Sequence, residues 1–196
     1  MIGVLAYGSL ISDPGEELAA VIVGEKRDVL TPFHVEFARS SLKRCGAPTL
    51  VPVASGGRPV RAIIFEVSIS AHEVLDIVYR REINAVSSRR KYVEPEPNKA
   101  NTVRLDRFEK FEGFDVVIST RMSPNIERLS ADVLADLAIT SARELRDGRD
   151  GISYLLNAKA CGIETELSAA YEQTILERTG AAGLAEALEA VRSCIP

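Results

Sequence analysis

The sequence predicts an α+β fold: a small mixed β-sheet or barrel covered by helices, with a helical C-terminal third. Three observations predict it. Strand-like runs, rich in β-branched residues and broken by proline, fill the chain as far as Ser119. Helical periodicity takes over from Ser130 and holds to the end. No repeat, low-complexity segment or linker long enough to divide the chain lies between them, so one domain over residues 1–196 is expected.

Ile2, Val4 and Leu5 open the chain as a buried strand that stops at Tyr7-Gly8-Ser9-Leu10, where glycine permits a positive φ and a close approach. The amides of Gly8, Ser9 and Leu10 then converge at the strand end as a small nest of donors for a carboxylate or an oxyanion. Asp13-Pro14-Gly15-Glu16 predicts a helix start, with Asp13 as cap, running to about Val23 and stopping at Gly24. Its dipole would add positive potential to the same spot. Short strands follow around Val29, over Val35 to Ala38 and over Leu50 to Val53. Ser55-Gly56-Gly57-Arg58-Pro59 is a turn by composition and Val60 to Val67 a strong strand, which together predict a hairpin.

Ser70 and Glu73 have capping-box spacing, and Val74, Leu75, Val78 and Tyr79 recur at helical spacing, so a helix spans about Ala71 to Ile83 with Arg81 and Glu82 in its last turn. Tyr92-Val93-Glu94-Pro95-Glu96-Pro97 opens a loop, after which Thr102 to Leu105 and Phe114 to Ser119 are strands. Helical patterns then run through Leu134 and Leu145, from Ile152 to Cys161-Gly162, from Leu167 to Thr179-Gly180, and from Leu184 to Ser193.

With 46% hydrophobic and 27% charged residues and a net charge of −4, the chain has the balance of a soluble globular protein, with no electrostatic bias toward nucleic acid or an anionic membrane. The cluster Arg80, Arg81, Arg89, Arg90 and Lys91 is local, read as a solvated helix face and loop. Cys45, Cys161 and Cys194 are widely spaced, which predicts free thiols and no metal site. A cytoplasmic location is expected, since no basic region precedes the first apolar segment and no apolar run is long enough to cross a bilayer.

Tyr7-Gly8-Ser9-Leu10 at the end of a first strand, Pro14-Gly15 after it, and Arg81-Glu82 at the end of the helix resemble the gamma-glutamylcyclotransferase-like proteins. The branch most similar is the ChaC-type, glutathione-directed one, to which Gly151-Ile152-Ser153-Tyr154-Leu155 is also similar. The resemblance implies a cofactor-independent, metal-free enzyme that releases 5-oxoproline from a small γ-glutamyl substrate, glutathione or a related amide. It places the catalytic glutamate on Glu82, the substrate turn on Tyr7, Gly8, Ser9 and Leu10, and the downstream tyrosine on Tyr92. The chain departs from the family in a longer spacing from Glu82 to Tyr92, around Ser87 to Arg90, and in having no tryptophan.

In that reaction the α-amino group attacks the γ-carbonyl of its own molecule, so one carboxylate serves as base and then as acid. Glu82 fits the role if partial burial raises its pKa, with Arg80 or Arg81 opposing the shift if either points inward. Tyr7 shapes the wall. Arg39 and Ser41 are candidates for a second carboxylate contact, against an arginine that snorkels to solvent; Tyr154 is a pocket hydroxyl or a core aromatic. Two other functions compete: a thiol hydrolase using Cys45 with His34, and a binding module without turnover. No oligomeric state is implied.

Overall fold

The structure, a computed structural model, describes residues 1–97, 99 and 101–193; Cys194 lies outside the described residues. In chain order the elements are β1 (Ile2–Ala6), α1 (Ser9–Ser12), α2 (Glu16–Ala19), β2 (Ile22–Leu30), β3 (Val35–Ser41), β4 (Ala47–Pro52), β5 (Arg61–Val67), α3 (Ala71–Glu82), β6 (Arg104–Phe111), β7 (Phe114–Arg121), α4 (Ala131–Glu144), α5 (Gly151–Ala160), α6 (Ser168–Thr179) and α7 (Leu184–Ser193). The fold is α+β, with a mixed five-stranded sheet, a two-stranded sheet and helices throughout the C-terminal part. The chain divides into two compact units: Met1–Thr31 with Arg61–Ser123, and Pro32–Val60 with the chain from Pro124 onward.

The first unit holds the five-stranded sheet, in the order β2-β5-β1-β7-β6. β1 is its centre, antiparallel to β5 and parallel to β7. A central strand must be apolar on both faces, and Val4, Leu5 and Ala6 are fully buried. Val4 and Ala6 share one apolar cluster with Val74, Leu75 and Val78 of α3 and with Phe65 and Ile118 of the neighbouring strands. Gly3 has to be small, because a Cβ there would sit 2.4 Å from Ile64 Cγ2. α3 begins with the expected capping box: Ser70 Oγ accepts from Glu73 N (3.4 Å), and Glu73 Oε2 accepts from Ser70 N (3.0 Å).

Two expectations are corrected here. The helix expected from Asp13 to Val23 is a single turn, α2, whose cap is Gly15 at φ 78 with no side-chain capping bond from Asp13. Val21, Ile22 and Val23 are β-branched and favour extended backbone, and from Ile22 the chain pairs with β5 as strand β2. The hairpin expected across Ser55 to Pro59 does not form either. β4 pairs with β3, whereas β5 lies between β1 and β2. Local turn chemistry predicts the turn but not the partner, because strand pairing is decided by distant residues.

In the second unit β3 and β4 pair antiparallel and α4 packs against β4, α5, α6 and α7. Gly151 permits the close approach of α5 to α4: an added Cβ would lie 2.7 Å from Ala138 Cα. Its amide donates to Ser141 Oγ at 2.9 Å. Glu36, 1% exposed, accepts from the amides of Phe37 (2.9 Å) and Leu167 (3.1 Å) and from Thr165 Oγ1, so its buried carboxylate is satisfied by three donors. Among the described residues no helix is long and apolar enough to cross a membrane.

Candidate functional site

Tyr7 to Leu10 carry the chain off the end of β1. Gly8 has φ 59 and ψ −135, the conformation of the first central residue of a type II′ turn, which side chains with a Cβ rarely adopt. It turns the backbone directly into α1. Ser9 and Leu10 are the first residues of that helix, so their amides have no partner within it. With four residues, α1 has little macrodipole of its own. Tyr7 is nearly buried and donates its hydroxyl to Thr120 O at the end of β7 (3.2 Å), while Leu10 is 3% exposed and anchors the turn in the core.

Positive charge at the turn comes from α3 rather than from the expected helix. Arg81 Nε and Nη2 both donate to the carbonyl oxygen of Asp13 (3.1 and 2.7 Å), and Nη2 also reaches Ser9 Oγ at 3.4 Å. Nη1 donates to Glu82 Oε1 at 2.7 Å. One guanidinium therefore touches the serine of the turn and the carboxylate of the glutamate. Both side chains of the ion pair are 15% exposed, a setting in which it is screened less than a surface pair. Gly15 makes room for this arginine, its bare Cα facing Arg81 Cγ.

Neighbouring positions on a helix point about 100° apart, and Arg80 and Arg81 take different partners. Arg80 Nε donates to Glu17 Oε2 (2.8 Å), and Nη1 donates to Arg90 O (3.0 Å). The sequence shows two equivalent arginines before Glu82, and only the position of the Asp13 carbonyl and the Ser9 hydroxyl separates them. The sequence names Arg81 as half of a motif and carries no signal of its contacts with Ser9 and Asp13.

Tyr92 packs its ring edge-on to Tyr79 of α3 (5.6 Å between centroids), and its amide donates to Asp76 Oδ1 (2.7 Å). Its hydroxyl accepts from Leu105 N and donates to Glu94 Oε2, each at 3.1 Å, and burial pushes its pKa up. These bonds commit that hydroxyl to holding the loop on β6. An open groove of about 580 Å³ is lined by Ser12, Asp13, Pro14, Gly15, Val86 and Ser87 among others, beside the residues that hold Arg81. A second of about 730 Å³ is lined by Tyr79, Ile83, Val93, Glu94 and Val103 among others. Glu82 lines neither.

The other candidates lie in the second unit. Arg39 is on β3, opposite Thr49, half-buried, and burial lowers its pKa. Tyr154 is core: it is 7% exposed, its ring meets Phe37, and its hydroxyl accepts from Leu50 N at 3.4 Å. Cys45 and Cys161 are free thiols. A hydrogen bond to Glu144, with burial and the charges of Glu144 and Asp147 adding, pushes the Cys45 pKa up, opposite to the shift that activates a nucleophile. His34 Nδ1 is engaged with Gly56 O at 3.1 Å. Among the described residues no group of three His, Cys, Asp or Glu side chains is arranged to hold a metal ion. Comparison of the chain with protein-family models, with curated proteins and with solved structures gives no match.

Proposed function

We propose that the protein is a cytoplasmic, cofactor-independent gamma-glutamylcyclotransferase-like enzyme acting on a small γ-glutamyl amide such as glutathione, with Glu82 as its acid and base. The observation that carries this reading is the contact of the Arg81 guanidinium with both Ser9 Oγ and Glu82 Oε1, at 3.4 and 2.7 Å. It joins two motifs more than seventy residues apart in sequence. Glu82 takes a proton from the substrate α-ammonium. The freed amine attacks the γ-carbonyl carbon, and the oxyanion forms against the Gly8, Ser9 and Leu10 amides. Collapse breaks the γ-amide bond while Glu82 returns the proton to the leaving nitrogen; Glu82 then takes the second proton from the ring nitrogen and passes it to the departing amine, giving 5-oxoproline and the amine as its ammonium ion. No water is consumed.

An N-acetylated γ-glutamyl amide separates this reaction from hydrolysis, because its blocked nitrogen cannot cyclise. Mass spectrometry is expected to show 5-oxoproline from γ-glutamyl amides with a free α-amine and no cleavage of the N-acetylated analogue. Cleavage of both, with release of glutamate from the free-amine substrate and N-acetylglutamate from the blocked one, would make the protein a hydrolase. The Arg81–Glu82 ion pair, which occupies the base at rest, favours one second reading: a carboxylate-binding protein without turnover. Binding of γ-glutamyl amides with no product at all would select it.

A further inference from the structure

The Arg81 guanidinium is clamped by a backbone carbonyl, so its orientation does not depend on Glu82. An arginine carries five N–H donors. Asp13 O takes one from Nε and one from Nη2, Ser9 Oγ takes the other Nη2 hydrogen, and Glu82 Oε1 takes one from Nη1. Among the described residues nothing accepts the second Nη1 hydrogen. Ser9 Oγ is an acceptor in its bond with Arg81 and keeps its own hydrogen to donate. Two hydrogen-bond donors thus remain on one partly exposed cation and the hydroxyl it touches, and among the described residues Glu82 is the only acidic side chain paired with Arg81. That is the complement of a carboxylate, whose two oxygens each accept a charge-assisted hydrogen bond.

We infer that Arg81 and Ser9 are the carboxylate receptor of the site and that they take the free α-carboxylate of the substrate. The inference rests on the γ-glutamyl reading above and divides the labour within it. With the carboxylate on side chains, the Gly8 to Leu10 amides are left for the oxyanion. A carboxylate on Nη1 also competes with Glu82 for the cation, so binding loosens Glu82 at the moment it has a proton to accept. The fork geometry matters as well as the charge, so lysine at 81 replaces arginine poorly.

Calorimetry tests this with γ-L-glutamyl methylamide and its α-carboxamide analogue, which lacks only the carboxylate charge. In the Glu82→Gln protein, which does not consume the probe if the reading above holds, the α-carboxamide is expected to bind roughly 10- to 100-fold more weakly. Adding Arg81→Gln weakens the carboxylate probe by a similar factor and erases the difference between the two probes, because both changes remove one interaction. Arg81→Lys restores little. If Arg81→Gln does not fold, the comparison of the two probes on the Glu82→Gln and Glu82→Gln/Ser9→Ala proteins still decides. Equal binding of both probes overturns the inference, as do additive losses from probe and variant or no binding of the methylamide up to millimolar concentration. Failure of the reaction is seen separately: no 5-oxoproline from wild type, with carboxylate-dependent binding intact, removes the enzyme and keeps the receptor. Turnover of the α-carboxamide as fast as the methylamide does the reverse.

Discussion

Replacing Gly8 with alanine or asparagine probes the turn on which the site depends. Its φ of 59 and ψ of −135 lie outside the left-handed helical region that asparagine tolerates. A side chain forced there costs about 1–3 kcal/mol. For a chain of this length that corresponds to a fall of about 2–12 °C in melting temperature. Gly180 is the internal control. It caps α6 at φ 67 and ψ 18, inside the left-handed region, and an added Cβ meets nothing within 4 Å. Asparagine at 180 should cost less than about 1 kcal/mol, while asparagine at 8 should cost as much as alanine at 8. Urea melts read at constant m give the comparison directly. A Gly8→Asn protein with the wild-type midpoint would refute the assigned backbone conformation, and with it the claim that the Gly8 to Leu10 amides are held in place by a glycine-only turn.

Two further predictions concern packing and pH. Gly151→Val pushes a side chain into Ala138 Cα, 2.7 Å from where its Cβ would sit, and should destabilise by about 1–3 kcal/mol in thermal melts, whereas Gly183→Ala, with open space around it and no positive φ, should show no such packing penalty. The Glu73 carboxyl is held below its usual range by the Ser70 hydroxyl and then by the Ser70 amide. A depressed folded-state pKa contributes stability that is present above the ordinary glutamate value of about 4.3 and is lost as pH falls through the folded value. Ser70→Ala should therefore return Glu73 toward the ordinary value in an NMR titration and remove that part of the acid dependence; an unchanged titration would contradict the capping box.

How far the sequence carried depended on whether the signal was local. The α3 helix, its Ser70–Glu73 box and the Gly180 cap are written in consecutive residues, and each forms as read. The C-terminal helices are legible for the same reason, since their apolar periodicity needs no partner to be recognised. Asp13-Pro14-Gly15-Glu16 misled because its capping residues sit before three β-branched residues that prefer strand, and the sheet edge at β5 was there to receive them. Leu50 to Val53 and Val60 to Val67 suggest one hairpin because adjacency in sequence is the pairing cue they offer, and the real partners, β3 for β4 and β1 with β2 for β5, lie elsewhere in the chain. The site divided in the same way. Gly8 is visible as a glycine after a strand and Glu82 as a carboxylate ending a helix, but Arg81 is distinguished from Arg80 only by the direction each side chain takes from α3.

The central claim is that Glu82 moves the proton for a reaction carried out on the Gly8 to Leu10 turn. Its most direct measurement is the rate of 5-oxoproline release from a γ-glutamyl amide by wild type and by Glu82→Gln, each shown to be folded by circular dichroism. Removal of the only proton-transfer group should lower the rate by roughly 10²- to 10⁴-fold while the probe still binds. Release by Glu82→Gln within a few-fold of wild type would contradict it.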